Sequence, residues 1–427
     1  MKKKNPITWV PTTYFAMGLP FVMLSLVSPI IFKDLGVPNE TIAFWTSLLI
    51  LPWSLKPIIS VIMELYGTKK QYIVITEIVS AVVFGCIVFS LPLPNFFNMC
   101  LALMGIIALS GSTHDIAGDG MYMEQLDPAT QSLYSGWQGA FYNLAKVLAN
   151  GGLIFLAGWL VNSQGMTVVA SWQLILSICA AILGLVGLYH FYALPKDIKP
   201  QKEGSFSEKS EELWRIFADF FQKKHILFYL FFIFLYRFAE GLAMKIAPLF
   251  LKDELSIGGL GLSNEQYGLV YGTAGTVAFI LGSIVAGYFV SKVGLKKALF
   301  TLACAFNIPF VVYLLFAYFQ PTHLPTIAMG IVGEYFGYGF GFVGLTLFMM
   351  QQIAPGKYQM AHYAFTNSLM NLGVMVPGMI SGFLSKYLGY QHFFLLVMIC
   401  TIPALLITWK VPFTYDSKQN KIDEKAL

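Results

Sequence analysis

The sequence predicts an all-α membrane protein with twelve transmembrane helices in two pseudo-symmetric bundles of six. Three observations carry that expectation. Of the 427 residues, 57% are hydrophobic and only 11% are charged, against about a quarter charged in a typical soluble domain. Apolar runs of about 20 residues, the length a helix needs to cross the hydrocarbon, recur along the whole chain. One polar segment splits those runs into six and six, and a loop sequence repeats between the two sets. The short alternating segments of a transmembrane barrel are missing from the sequence.

The first span, near 11–32, follows MKKKNPITWVP and resembles a signal peptide. Its uncharged run is long and lacks a small-x-small cleavage site, so it reads as an uncleaved helix. Further spans fall near 41–63, 72–91, 97–122, 137–160 and 171–194, forming a first bundle over 1–194. A linker over 195–224 follows. Within it Leu213, Ile216, Phe217, Phe220 and Phe221 recur at helical spacing opposite charged residues, the pattern of a helix at the membrane surface. Spans near 225–250, 267–290, 298–319, 326–350, 361–385 and 392–411 make a second bundle within 225–427.

Lysine and arginine set the orientation. With the N-terminus inside, twenty of them lie in inside segments and three (Lys33, Lys252 and Lys386) in outside loops. Both termini are therefore expected in the cytoplasm. The net charge of +5 forms no cluster suited to nucleic acid. Cys86, Cys100, Cys179, Cys304 and Cys400 all lie in apolar runs without CxxC spacing and read as packing residues. No cofactor or metal site is expected, because His114, Asp115 and Asp119 lack further obvious ligands.

The internal repeat has a constant offset of 227 residues. Ser60, Glu64, Gly67, Lys69 and Lys70 after the second span correspond to Gly287, Ser291, Gly294, Lys296 and Lys297 after the eighth. Gly67 and Gly294 suit a tight turn, and the lysine pair holds each loop inside. Both loops resemble the G-x-x-x-D-R-x-G-R-R signature of the major facilitator superfamily. That resemblance implies a solute transporter working by alternating access, with Glu64, Gly67, Gly287, Ser291 and Gly294 in a gate motif. Ser60, Glu64, Leu65 and Ser291 depart from the signature and weaken its ionic latch.

A charge at the bilayer centre costs about 2.5–3.5 kcal/mol on insertion scales, so each buried one needs a partner or a purpose. At about 1.5 Å per residue, Lys56, Glu77, Asp115 and Lys146 fall in one layer about 5 Å thick. Asp119 lies one turn from Asp115 on the same helix face. Two acids on one face repel, which makes Asp115, Asp119 and the adjacent His114 candidates for proton coupling, with Lys56, Glu77 and Lys146 as charge partners. In the second bundle Arg237 and Glu240 share a face, and Glu334 lies toward the outside. These three, with Tyr14, Tyr142, Asn143, Tyr236 and Tyr338, are candidate solute contacts. Plainer roles compete: Arg237–Glu240 as a brace, Lys146 and Glu77 as neutralising neighbours, and His114 as helix packing.

Two stretches narrow the resemblance. SLKPIISVIME (54–64) is similar to the S-x-K-x-x-x-x-P-x-x-D pattern of AmpG-type muropeptide permeases, with Lys56 and Glu64 at its Lys and Asp positions. The proline of that pattern is displaced, the nearest being Pro57. THDIAGDG (113–120) is similar to the family's Q-D-I-x-x-D-[AG], with His114 in place of Gln. Acetyl-CoA transporters share much the same motifs. The resemblance implies a permease, proton-driven, for a sugar-containing or amphiphilic solute; a monomer in a bacterial inner membrane is expected. A siderophore, an acyl-CoA-like or nucleotide-like anion remains open as solute. So does a membrane acyltransferase using His114-x-x-x-x-Asp119, or a transporter-like sensor.

Overall fold

The computed structural model describes residues 4–65, 67–196 and 206–415, leaving aside the side chains of 61, 64, 65, 128, 129, 132, 206–210, 212 and 213. The side chains of Glu64 and Leu213 thus lie outside the described residues. No strand occurs among the described residues.

The chain is a succession of long helices, with each irregularity traceable to a residue. Helix α1 (Pro6–Asp34) contains Pro20, which cannot donate to the helical ladder, and a π-helical turn at Met23–Val27. Helix α2 is broken into Asn39–Leu48, Leu51–Ser54 and Lys56–Leu65. Pro52 and Pro57 each stand where a new segment starts and a missing N–H costs least. Helix α3 (Lys69–Ser90) is opened by a capping box in which Thr68 and Gln71 exchange side-chain-to-backbone bonds. Helix α4 runs unbroken over Phe96–Gln125. Helix α5 starts at Pro128–Lys146, passes a π-helical turn at Val147–Leu153 and ends with Ile154–Asn162. Helix α6 covers Val168–Ala193.

Helix α7 (Phe206–Gln222) is the amphipathic one. The spanning helices then resume as α8 (Ile226–Lys252), α9 (Asn264–Val293), α10 (Leu295–Phe319), α11 (Leu324–Ile353) and α12 (Gln359–Lys410). Helix α12 is two arms joined at Gly389, whose φ of 69° breaks the helical run. Ten stretches among the described residues are long and apolar enough to cross a membrane. Dividing α12 at Gly389 and adding the broken α2 accounts for the twelve spans expected.

The chain forms two compact units, one of residues 1–206 with 262–273, the other of 207–261 with 274–427. In the first, Trp9, Val10, Tyr14 and Met17 of α1 bury against Ile73 of α3 and Ala117, Met121 and Tyr122 of α4. In the second, Tyr229, Phe232 and Tyr236 of α8 meet Leu302 and Phe306 of α10 and Leu345 and Phe348 of α11. Lipid tails are as apolar as these side chains, so contact between helices depends on close backbone approach at small residues. In the second unit α9 and α11 touch backbone to backbone. A Cβ on Gly282 would stand 2.1 Å from Phe336 O, and one on Gly339 would stand 2.0 Å from Phe279 O.

Helix α4 does not loosen at Gly118 and Gly120 but continues through both. They admit neighbours instead: a Cβ on Gly118 would lie 3.0 Å from Met17 Cε, and one on Gly120 would lie 2.9 Å from Lys69 Cε.

Helix α7 lays one face on the start of α12. Phe217 and Phe220 pack against Phe365 with ring centres 5.8 and 5.6 Å apart, and Phe220 against His362 at 5.5 Å. Asp219 stands 3.5 Å from His362. Beyond the helix, Lys223 donates to Pro355 O, and burial draws its ammonium below the usual lysine range against the opposing pull of Asp219. Trp214 and Phe221 stay exposed.

Candidate functional site

The first unit brings most of its predicted charges together at the end where α1 and α3 begin and α4 and α6 finish. The break in α2 sets Trp53 and Lys56 beside α4. Lys56 Nζ and Trp53 Nε1 both donate to Asp115 Oδ2 at 2.9 Å. The other oxygen, Asp115 Oδ1, is buried with no partner. One turn along α4, Asp119 is exposed and accepts at 2.7 Å from Tyr14 OH, which in turn accepts from Gln138 Nε2 at 2.6 Å. The two acids are therefore held by different donors: a cation for the buried one and a neutral hydroxyl for the exposed one.

Glu77 has no lysine partner among its described contacts. It meets two histidines instead. His114 Nε2 lies 3.0 Å from Glu77 Oε1, and His190 Nδ1 lies 2.7 and 2.9 Å from the two carboxylate oxygens. This geometry removes the acyltransferase pairing, because His114 faces Glu77 while Asp119 is bonded to Tyr14. His190 is not among the candidate residues drawn from the sequence. Its signal was available: it stands three residues from the end of α6, and Glu77 stands eight from the start of α3, where the chain runs the opposite way. Trp53 and Gln138 were also missed, and nothing in their spacing marks them.

Other predictions for this unit fare unevenly. Lys146 is half-buried at the end of the first segment of α5. Tyr142 packs its backbone against α1, where a Cβ on Gly18 would come 3.0 Å from Tyr142 O. Asn143 is spent on its own helix, donating to Gly139 O at 2.8 Å.

In the second unit Arg237 and Glu240 form a buried two-bond pair on α8, with Arg237 Nε donating at 2.6 Å to Glu240 Oε2 and the second bond going to Oε1. Tyr338 OH of α11 donates to Glu240 Oε1 at 2.8 Å, and the guanidinium stands 5.4 Å from the Phe342 ring centre. Glu334 is buried and accepts from Tyr313 OH at 3.0 Å. Tyr236 is not available to a solute: it is fully buried and donates to Gly341 O at 2.8 Å, tying α8 to α11.

The repeated loops have the turns their glycines suggested. Gly67 and Gly294 have φ of 76° and 83°, a region that other residues enter at a cost. Lys69 pairs with Glu124 and Lys70 donates to Leu194 O at 3.3 Å, which braces the first copy within its unit. In the second copy Ser291 Oγ donates to Tyr288 O at 2.7 Å, and a Cβ on Gly287 would meet nothing within 4 Å.

Twelve spans with ionisable groups buried among them define a polytopic membrane transporter. The sequence profile of the Major Facilitator Superfamily matches residues 12–351 and 230–426, and the chain belongs to that superfamily. It is 22% identical over 403 residues to a Rickettsia conorii protein that carries the name AmpG 4, covering 91% of this chain and 92% of that one. It is 22% identical over 398 residues to the anhydromuropeptide permease of Escherichia coli K12, covering 92% and 77%. The structure of the nucleoside transporter NupG matches with a TM-score of 0.71 at 13% identity, over 95% of this chain and 99% of that one. These relatives and neighbours are transporters and not enzymes.

Proposed function

We infer that this chain takes up a sugar-containing solute of the muropeptide class by alternating access, driven by protons. The observation that carries the reading is the pair of carboxylates on α4, one buried beside Lys56 and one exposed beside Tyr14. Two like charges a turn apart repel, so neutralising one relieves the other. A proton on Asp119 cancels one negative charge and leaves the Lys56–Asp115 pair in place. Solute class is supported by the likeness to AmpG-type proteins over nine-tenths of the chain. Arg237, Glu240 and Tyr338 offer charged and hydroxyl groups of the kind an anhydromuropeptide's carboxylates and sugars bind. The lysine and arginine distribution supports cytoplasmic termini, and the bacterial relatives support an inner-membrane location; the working unit proposed is a monomer.

Proteoliposomes loaded at pH 7.5 and diluted to pH 5.5 test the reading with radiolabelled N-acetylglucosaminyl-1,6-anhydromuramyl-tripeptide. Wild type accumulates the probe and D119N does not. Equal accumulation by both, or by vesicles with the gradient collapsed, refutes proton coupling at Asp119. Failure to accumulate this probe while another solute is carried refutes the solute class.

A further inference from the structure

Glu77, His114 and His190 come from α3, α4 and α6, and each is at most 3% exposed. One carboxylate meeting two imidazoles is an unusual balance. An ionised carboxylate only accepts, so His114 Nε2 and His190 Nδ1 both carry protons. The two remaining ring nitrogens decide the charge of the cluster.

His190 Nε2 lies 2.8 Å from Thr12 Oγ1, and that hydroxyl also lies 3.2 Å from Trp9 O. A hydroxyl has one proton to give. When Thr12 donates to Trp9 O, it accepts from a protonated Nε2, and His190 is an imidazolium. When Thr12 donates to Nε2, the ring is neutral. Rotation about one C–O bond therefore satisfies both charge states. His114 Nδ1, by contrast, is buried with no partner, so a second proton there would be an unpaired donor. With both rings neutral the cluster carries one negative charge, and with one proton on His190 it carries none. Net charge is costly to bury, and the site is constructed to take up one proton at one atom.

The surrounding charges leave that balance intact. On α4, Asp115 is paired with Lys56 of α2, and Asp119 is exposed and bonded to Tyr14 of α1. On α3, Lys69 pairs with Glu124 and Lys70 bonds to Leu194 O. Helix α1 presents Thr12 and Tyr14, both neutral.

We propose that Glu77, His114 and His190 form a second proton-binding site, holding one exchangeable proton on His190 between Glu77 and Thr12. Its use in transport rests on the proton-coupled reading above; its existence does not.

The test reads the site and its use separately. Histidine labelled with 15N is incorporated into the full chain in lipid nanodiscs without solute, and ring-nitrogen spectra are recorded from pH 5 to 8.5. His190 is assigned by the signal missing in H190Q, or, if that variant does not fold, by the signal that T12V alone perturbs. The expected result is an imidazolium at the acid end that loses one proton on going to the basic end. In E77Q that form falls at least tenfold at pH 6, and in T12V at least threefold. A His190 ring that stays in one state across the range, or is unchanged by E77Q, overturns the proposal. For use in transport, the same anhydromuropeptide is followed in counterflow and in gradient-driven uptake. E77Q is expected to keep counterflow and to lose at least nine-tenths of gradient-driven accumulation. If wild type carries no anhydromuropeptide, the solute reading fails and the spectra still decide the site.

Discussion

Replacing Lys56 by Met tests whether the α2–α4 ion pair holds the first unit together. The thioether keeps the apolar stem of the side chain and removes the ammonium, with its charge and its donors. Asp115 then retains a single donor, Trp53 Nε1 at 2.9 Å, for a carboxylate whose other oxygen already lacks a partner. Removing one member of a buried pair costs about 3–5 kcal/mol. The Lys56 side chain is 29% exposed and that of Asp115 11%, so water screens part of the interaction. The expected loss is then about 2–3 kcal/mol. D115N leaves only a partly hydrated ammonium unpaired and should cost about 1 kcal/mol. In the double variant no charge remains, and its loss should also be about 1 kcal/mol, which gives a coupling of about 2–3 kcal/mol. Unfolding by sodium dodecyl sulfate in dodecyl maltoside micelles, followed by tryptophan fluorescence, measures all four proteins. Losses that add to within about 0.5 kcal/mol would show that the two side chains act independently and refute the argument.

Three further outcomes follow from the packing. G339V pushes a side chain into Phe279 O, 2.0 Å from the position of its Cβ, whereas G287A meets open space. Fluorescence-detected size exclusion should show monodisperse protein for G287A and a yield at least fivefold lower for G339V. Y236F removes the bond to Gly341 O and should cost about 1 kcal/mol in the same unfolding assay, with the KM for the transported solute unchanged. F220A empties the α7–α12 contact and should free α7, so that trypsin cuts at Lys223–Lys224 at least tenfold faster; unchanged cleavage would mean that Phe217 alone holds the helix.

The spans were legible because crossing hydrocarbon imposes one requirement on every helix, about twenty apolar residues, and the chain repeats it. The turn glycines were legible for a similar local reason: Gly67 and Gly294 recur at one offset, and both have positive φ. Partners were not legible, since they depend on how helices rotate about their axes. Depth put Glu77 level with Lys56, yet Glu77 turns to His190 and Lys56 to Asp115. Tyr236 and Tyr338 are two tyrosines in polar neighbourhoods by sequence. Only packing separates the one that bonds a backbone carbonyl from the one that bonds a carboxylate. The division within α12 was expected as a loop over 386–391, but a single glycine at 389 makes it.

The two units differ in where their charges find partners, and the difference bears on which one responds to a proton. In the first unit the bonds run between helices: α2 to α4 through Lys56–Asp115, α1 to α4 through Tyr14–Asp119, and α3 to α4 and α6 through Glu77. A proton added to Asp119, bonded to α1, or to His190 Nε2, bonded to Thr12 of α1, converts an acceptor into a donor in a bond that fixes one helix against another. In the second unit Arg237 and Glu240 lie one turn apart on α8 and move as one body. Their geometry survives any shift of α8, and the tie from Tyr338 is a single hydroxyl. An interhelical set of bonds is suited to turning protonation into helix movement. A pair fixed within one helix is suited to presenting the same charges to a solute while that movement occurs. On the proposed function the first unit therefore reads the proton, and the second holds what is carried.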